Sequence, residues 1–235
     1  TKPRIPAYCT GNDIEQHVEF GYKRLKLAMP AGPIRGEEGK RENVELVARA
    51  RKAVGPDGDV MCDCWMSWDE QYTIEMCKLM EPYRVKWVEE VLPPYDFEGF
   101  GRLRRKITST NIATGEHVYG RYGFAKLLAA DGASIWQPDV GWCGGMSELR
   151  KIGALAEAYD IPVIPHNGGA NGAVHWSISH VNAPWSELFM PAPGGPKQVY
   201  DMFEQQHEVT RGPEGIYQHP SRAPGWGWDV VATPI

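Results

Sequence analysis

Residues 85–95, VKWVEEVLPPY, begin like a buried β-strand and end in two adjacent carboxylates followed by two prolines. Val85, Trp87 and Val88 favour a strand, whereas glutamate is disfavoured in strands and is costly to bury without a partner or a metal ion. The prolines stop the strand, because they cannot donate to its hydrogen-bond ladder. An apolar strand that ends in acids therefore indicates a sheet with functional residues at the C-terminal ends of its strands, as in α/β barrels.

Strand-like runs recur along the whole chain and alternate with amphipathic stretches. The eight predicted strands are 5–9, 22–28, 59–64, 86–90, 111–114, 133–137, 162–165 and 185–189. Helices are predicted at 43–54, 68–80, 97–106, 122–130 and 146–159. This alternation is typical of βαβ units in a parallel sheet, and eight strands can close a TIM-type barrel. An open, doubly wound α/β sheet is the alternative fold.

The end of the chain has a different composition. Residues 191–235 are rich in Pro, Gly, Trp and His and show little periodicity. We therefore predict a catalytic barrel domain over residues 1–190 and an irregular C-terminal tail, over residues 191–235, that packs on it.

The overall composition excludes several classes of protein. The 235 residues are 42% hydrophobic and carry a net charge of −5, which is unsuited to nucleic-acid binding. No apolar run approaches the roughly 18 residues that a membrane span needs. Five cysteines, an odd number in a large chain, argue against a disulfide framework and favour a cytoplasmic location. Cys62 and Cys64 would share one face of a strand, where we expect packing rather than metal ligation.

A polar residue closes each of five consecutive predicted strands. These residues follow one another at intervals of 23 to 27 positions, the length of one βα unit: Asp63, Glu89, Glu116, Asp139 and His166. The C-terminal ends of barrel strands meet at one mouth, which carries the active site in TIM barrels. We therefore expect these side chains to converge at one end of the barrel.

Three of these residues indicate a metal site. Carboxylates that converge repel one another and need a counter-ion. Asp63, Glu89 and Glu116 offer only oxygen ligands, which favours Mg²⁺ over Zn²⁺. The alternative is that they are ordinary salt-bridging residues at loop edges. Glu90 should face the other way, because neighbours on a strand alternate.

The remaining polar residues indicate proton transfer. A carboxylate such as Asp139 beside the imidazole of His166 fixes its tautomer and raises its basicity, which suits a catalytic base. Lys26, in the second predicted strand, would neutralise an anionic substrate or developing negative charge. A structural histidine and a solvated lysine are the alternatives. Glu187 lies in the eighth predicted strand, and its position alone is only weak evidence for a role in the active site.

The sequence also resembles a known family. The motifs DCWMS, KWVEEVLPP, GEH, QPDVGWCGG, PH and SEL resemble those of the enolase superfamily, in its mandelate racemase subgroup. Within that subgroup they look most like L-rhamnonate dehydratase-like acid-sugar dehydratases. The resemblance covers about residues 1–230 and implies a modified (β/α)7β barrel. It also implies that Asp63, Glu89 and Glu116 bind Mg²⁺ and that His166 with Asp139 forms the acid/base dyad.

Further residues take their expected roles from this resemblance. Lys26 matches the first lysine of the racemase K-x-K motif, whereas Ala28 replaces the second, which argues against two-base racemisation. Glu187 falls where the subgroup has a glutamate that hydrogen-bonds the substrate carboxylate, and a protonated Glu187 would help to stabilise an enediolate. His117 matches a histidine of the rhamnonate dehydratase-like members and is a candidate for substrate binding.

The implied activity is Mg²⁺-dependent dehydration of an L-rhamnonate-like aldonate to a 2-keto-3-deoxy acid. The alternatives are an epimerase or racemase of the same superfamily, a cycloisomerase or N-acylamino-acid racemase, and an inactive barrel. Trp65, Trp142 and Asn167 flank the expected site and are candidates for contacts with the sugar. The resemblance further implies a homo-oligomer and an N-terminal capping domain, which nothing in this chain matches.

Overall fold

Strands and helices alternate along the chain. A computed structural model describes residues 2–168, 172–189, 209–220 and 225. The strands are β1 Ile5–Thr10, β2 Arg24–Ala28, β3 Asp59–Asp63, β4 Trp87–Glu89, β5 Asn111–Thr114, β6 Ile135–Trp136, β7 Ser186–Phe189, β8 Val209–Gly212 and β9 Gly215–Gln218. The helices are α1 Ile14–Phe20, α2 Gly36–Val54, α3 Glu70–Met80, α4 Phe97–Lys106, α5 Gly120–Ala129, α6 Met146–Glu157 and α7 Ala173–Ser179, with 3-10 turns at Pro33–Arg35 and Glu81–Tyr83.

The first seven strands form a parallel sheet in the order β7-β1-β2-β3-β4-β5-β6. Neighbours in sequence are thus neighbours in space, and β7 returns to pair with β1. This order is the one expected of a barrel, because each strand is followed by a helix that carries the chain to the next strand. The C-terminal ends of all seven strands lie at the same edge.

The predicted strand at 162–165 is reduced to a single bridge between Val163 and Trp136. Pro162 and Pro165 explain the difference, because they flank the bridge and lack the N–H groups that a ladder requires. On its other side Val163 donates its N–H to the backbone oxygen of Asn182 at 2.8 Å. Among the described residues no ladder joins this segment to β7, so the sheet is not closed by strand pairing.

The two faces of the sheet carry different side chains. On β2, Leu25 and Leu27 point outward into the apolar layer that helices cover, whereas Lys26 between them points inward. The interior layer is apolar at its base and is formed by Tyr8, Met61, Trp87, Ala113, Ile135 and Ile164. The outer layer includes Cys62 and Cys64, and both thiols are buried and free. The predicted packing role of these two cysteines is therefore confirmed.

The described part of the C-terminal region contains a hairpin that the sequence analysis did not predict. Strands β8 and β9 pair in antiparallel fashion, and β9 continues the sheet by pairing with β1 at Ile5 and Gln218. Gly215 permits the tight connection, because its φ of 106° is unfavourable for other residues. The rest of the predicted tail lies outside the described residues, and its assignment as a separate unit from residue 191 stays a prediction.

Within the described ranges, no helix combines the length and the apolar character that a membrane-spanning helix needs.

Candidate metal centre and active site

Asp63, Glu89 and Glu116 converge at the C-terminal edge of the sheet. Asp63 and Glu89 end neighbouring strands and are paired in register. Glu116 lies two residues beyond β5, after Gly115, whose φ of 142° is unfavourable for other residues. Each residue offers a carboxylate oxygen within 4.8 Å of those of the other two. The structure therefore confirms that the three acids converge, as the sequence predicted.

Lys26 provides the positive charge that partly balances these acids. Its Nζ lies 2.6 Å from Glu89 Oε1, 2.9 Å from Glu187 Oε1 and 3.1 Å from Asp63 Oδ2. Lys26 is fully buried, so the alternative of a solvated surface lysine is wrong. Burial lowers the pKa of Lys26, but the surrounding carboxylates outweigh this effect and hold the pKa well above its ordinary value.

One lysine does not neutralise the whole cluster. Burial raises the pKa of Glu89 to about 8; Lys26 acts against this shift, while Asp63 adds to it. Burial also raises the pKa of Glu116 to about 7, opposed by His166. Oε2 of Glu116 is buried and accepts no hydrogen bond from the described residues. Buried acids with unmet negative charge and oxygen donors alone fit a hard divalent cation.

His166 and Asp139 form the predicted pair. His166 follows the Val163 bridge, Asp139 follows β6, and their Nδ1 and Oδ2 atoms are 2.8 Å apart. The Nε2 atom of His166 lies 3.5 Å from Oε2 of Glu116, so the imidazole borders the carboxylate cluster. Burial lowers the pKa of His166, but the hydrogen bond to Asp139 and the charges of Glu187 and Glu116 outweigh it and raise the pKa to about 9.

Glu90 lies beside the cluster rather than facing away from it, so the expectation from strand alternation is wrong. Alternation fails because Glu90 follows the last residue of β4 and has a φ of 46°. Its Oε2 atom lies 2.6 Å from His117 Nδ1, and His117 Nδ1 is 3.6 Å from Glu116 Oε1. Burial raises the pKa of Glu90 to about 7, with Asp63 adding to the shift. Glu90 therefore holds His117 at the edge of the site.

Glu187 accepts hydrogen bonds on both carboxylate oxygens. Thr10 donates to Oε1 at 2.5 Å, and the backbone N–H of Asn167 donates to Oε2 at 2.7 Å. Burial raises the pKa of Glu187, but Lys26 and His166 outweigh this and bring it below its ordinary value. These donors favour the ionised form of Glu187, and the expectation of a protonated Glu187 in the reaction stays a prediction.

The residues predicted to contact a sugar lie around the mouth. Trp65 lies in the turn after β3 and is 68% exposed, and its backbone N–H donates to Asp63 Oδ1 at 3.1 Å. The ring of Trp142 lies 4.8 Å from that of His117 and 6.3 Å from that of His166. Asn167 is buried, and its Nδ2 has no hydrogen-bond partner within the described ranges. These positions border the site, and their contact with a sugar stays a prediction.

Sequence reasoning missed several residues that hold the acids. Trp87 Nε1 and Gln137 Nε2 both donate to Glu89 Oε2, at 3.0 Å and 2.7 Å. Thr10 was missed because a hydroxyl carries no charge pattern. The alternation of Trp87 and Glu89 on one strand could have identified Trp87, because residues two apart share a face.

Comparisons with known proteins agree with this geometry. Residues 11–233 match the family described as Enolase C-terminal domain-like. L-rhamnonate dehydratase from Saccharopolyspora erythraea is 37% identical over 227 residues, which cover 96% of this chain and 58% of that protein. The chain therefore spans less than two thirds of the length of this relative.

Solved structures give the same result. The crystal structure of rhamnonate dehydratase from Gibberella zeae complexed with Mg is 38% identical, with a TM-score of 0.83 over 98% of this chain and 57% of that one. The 3,6-anhydro-D-galactonate cycloisomerase from Zobellia galactanivorans is 27% identical, with a TM-score of 0.82 over 98% of this chain and 64% of that one. The predicted α/β barrel architecture is confirmed by these matches. From the family match and the shared fold, the chain belongs to the Enolase C-terminal domain-like family of the enolase superfamily.

Proposed function

We propose that the protein containing this chain is a Mg²⁺-dependent dehydratase of L-rhamnonate-like acid sugars. The observation that carries the proposal is the junction of two groups of side chains at one edge of the sheet. A cluster of three carboxylates meets a histidine–aspartate pair where His166 Nε2 lies 3.5 Å from Glu116 Oε2. The relatives named L-rhamnonate dehydratase support dehydration as the reaction class.

Asp63, Glu89 and Glu116 would hold the Mg²⁺ ion. Their donor set contains only carboxylate oxygens, and Oε2 of Glu116, which accepts no hydrogen bond from the described residues, supports the fit. When bound, Mg²⁺ would supply positive charge that lowers the energy of negative charge developing on a substrate carboxylate. The fully buried Lys26 would add a second positive charge on the β2 side of the cluster.

His166 would act first as the base. Its Nδ1–H is donated to Asp139, which leaves Nε2 as the atom that accepts the proton from C2 of the substrate. The charges of Glu116 and Glu187 help to raise the pKa of His166 to about 9. Neutralising the charge of Glu116 would therefore lower the pKa of His166, and a larger fraction of the imidazole would then have an unprotonated Nε2.

The same imidazole would then act as the acid. After proton removal the electron pair of the C2–H bond resides in an enediolate of the substrate. The pair returns to form a C2=C3 double bond as the C3–O bond breaks, and the hydroxyl leaves as water with the proton from His166. The enol product tautomerises to the 2-keto-3-deoxy acid. One residue in both roles requires the proton and the hydroxyl on the same face of the sugar.

The surrounding side chains would orient the substrate. His117 is held by Glu90, and Trp142 lies against the rings of both His117 and His166. Asn167 carries an amide nitrogen without a partner in the described parts, which would donate to a sugar oxygen. The exposed Trp65 would cover one side of the mouth.

By analogy with the longer relatives, we also propose that the whole protein contributes a cap over this mouth. That the protein is a homo-oligomer and that it is cytoplasmic both stay predictions.

A panel of acid sugars incubated with the full-length protein and Mg²⁺ tests the proposal through formation of 2-keto acids. We expect turnover of L-rhamnonate or a related aldonate, loss of turnover with a chelator, and loss of turnover in His166→Asn. His180→Asn is the matched control, since His180 stacks on Trp176 away from the acids. Near-full activity of His166→Asn would overturn the assignment of the base.

The same panel separates the alternatives. An epimerase or racemase would exchange the C2 hydrogen with deuterated solvent without forming a 2-keto acid. Ala28 argues against this outcome, because it occupies the end of β2, in register with Asp63, where the K-x-K motif carries its second lysine. An inactive barrel would bind Mg²⁺ and turn over none of the sugars.

A further inference from the structure

We infer that Trp87 and Gln137 are positioning residues that fix Glu89 as a single-oxygen ligand for the cation. The inference rests on the proposed function, because it assumes that Glu89 binds a divalent cation. It concerns how the protein presents this ligand, which neither the family match nor the sequence motifs specify.

Glu89 is the last residue of β4, at the edge of the sheet where the three acids meet. Glu89 is 1% exposed, so protein groups rather than bulk solvent surround its carboxylate. Trp87 precedes it by two residues on β4, and both side chains point into the barrel. Gln137 comes from the segment after β6, and its backbone N–H donates to Thr114 of β5. The two donors thus approach the same carboxylate from different parts of the sheet.

Both donors act on the same oxygen. Trp87 Nε1 lies 3.0 Å and Gln137 Nε2 lies 2.7 Å from Oε2 of Glu89. Oε2 therefore has both of its acceptor positions occupied. Oε1 accepts a hydrogen bond from Lys26 Nζ at 2.6 Å and keeps a second acceptor position for a cation.

The chemistry of the two donors suits this role. Both N–H groups are neutral, and both side chains are fully buried. Neutral donors orient an ionised carboxylate and offset part of its desolvation cost. A second charged donor on Oε2, in addition to Lys26 on Oε1, would weaken the attraction of Glu89 for the cation further. Outer-shell groups of this kind typically change metal affinity by about 10-fold to 100-fold when removed.

A purely structural role for Trp87 predicts a different result. Its ring packs against Tyr8 and Trp185, with centroids 5.6 Å away in both cases. If packing were its whole role, Trp87→Phe would lower the melting temperature and leave cation affinity unchanged. Trp136 provides the matched control, because it is fully buried, packs against Phe124, and has an indole Nε1 without a partner in the described ranges.

The test is the affinity of the full-length protein for Mg²⁺, measured by titration calorimetry without substrate. We expect Gln137→Leu and Trp87→Phe each to weaken Mg²⁺ binding by about 10-fold to 100-fold, and Trp136→Phe to leave it within about twofold of wild type. If one of the two variants does not fold, the other still decides the question. Saturating Mg²⁺ should recover most of the turnover in both variants.

The outcomes separate this inference from the proposed function. Weakened Mg²⁺ binding in Gln137→Leu and Trp87→Phe supports the inference even if the wild-type protein dehydrates no acid sugar. Unchanged Mg²⁺ affinity in the folded variants overturns it even if the wild-type protein is a dehydratase. Absence of Mg²⁺ binding by the wild-type protein would overturn both.

Discussion

The Nδ1 atom of His166 lies 2.8 Å from the Oδ2 atom of Asp139, although the two residues are 27 positions apart and follow different strands. The contact joins the loop after β6 to the loop after the Val163 bridge. It fixes which nitrogen of the imidazole faces the carboxylate cluster, because Nδ1 is occupied and Nε2 is left toward Glu116.

Replacing this aspartate should slow the reaction without weakening substrate binding. In Asp139→Asn the amide cannot hold the imidazolium as the carboxylate does, so we expect kcat to fall by about 100-fold, within the range for general base catalysis. KM should change little. The measurement is initial-rate kinetics with the best acid sugar. Asp57→Asn, an exposed aspartate in the loop before β3, is the control, and a kcat within twofold of wild type in Asp139→Asn would contradict the assignment.

The stability of the cation-free protein should fall as pH rises. Burial raises the pKa of Glu89 to about 8 and that of Glu116 to about 7, from an ordinary value of 4.5. Between pH 4.5 and about 7 to 8 the two acids of the folded chain keep protons that the unfolded chain has released. The free energy of unfolding therefore decreases as the pH increases through this range. His166, with a pKa of about 9, acts in the same direction at the upper end.

Thermal unfolding with a chelator at about pH 5 and about pH 8 would measure this effect. Mg²⁺ should raise the melting temperature more at the higher pH, where the acids are ionised and a cation binds them. Glu116→Gln should flatten the pH dependence of the chelated protein. A melting temperature of the chelated wild-type protein that rises over this range would show that the acids are not held as described.

Removing the buried lysine should destabilise the cation-free protein. Lys26→Met leaves Asp63, Glu89 and Glu187 without their shared counter-charge, and breaking a buried ion pair typically costs about 3–5 kcal/mol. Lys40→Met is the control, because Lys40 pairs with Glu37 and Glu75 at the surface, where such pairs contribute about 0–1 kcal/mol. Chemical denaturation measures both. Equal losses in the two variants would contradict a special role for Lys26.

A side chain at Gly115 should disturb the ligand that follows it. The φ of Gly115 is 142°, and an added Cβ would lie 2.9 Å from the backbone nitrogen of Gln137 and 3.0 Å from the ring of Phe124. We expect Gly115→Ala to cost about 1–3 kcal/mol through backbone strain and to lower Mg²⁺ affinity by displacing Glu116. Gly120→Ala tests positive φ alone, since nothing lies within 4 Å of its added Cβ. Equal effects of the two substitutions on Mg²⁺ affinity would contradict this account.

Much of the site could be predicted because barrel topology turns sequence spacing into spatial proximity. Asp63 and Glu89 end their strands and Glu116 follows β5 by two residues, and parallel strands bring such positions to one edge. The same reasoning placed His166 beside Asp139. It failed for Glu90, since alternation describes a residue inside a strand and not one in a left-handed conformation after the strand has ended.

Sequence information alone was enough to predict the order of strands, the end of the sheet at which the acids gather, and the pairing of a histidine with an aspartate. These follow from local apolar periodicity and from the spacing of polar residues. The three-dimensional structure was needed to find that Lys26 contacts three carboxylates, that Gln137 joins Trp87 on one oxygen of Glu89, and that β9 extends the sheet at β1. The physical reason is that the contacts of Lys26, Gln137 and β9 depend on distances between residues far apart in the chain, for which a single sequence carries no periodic signal.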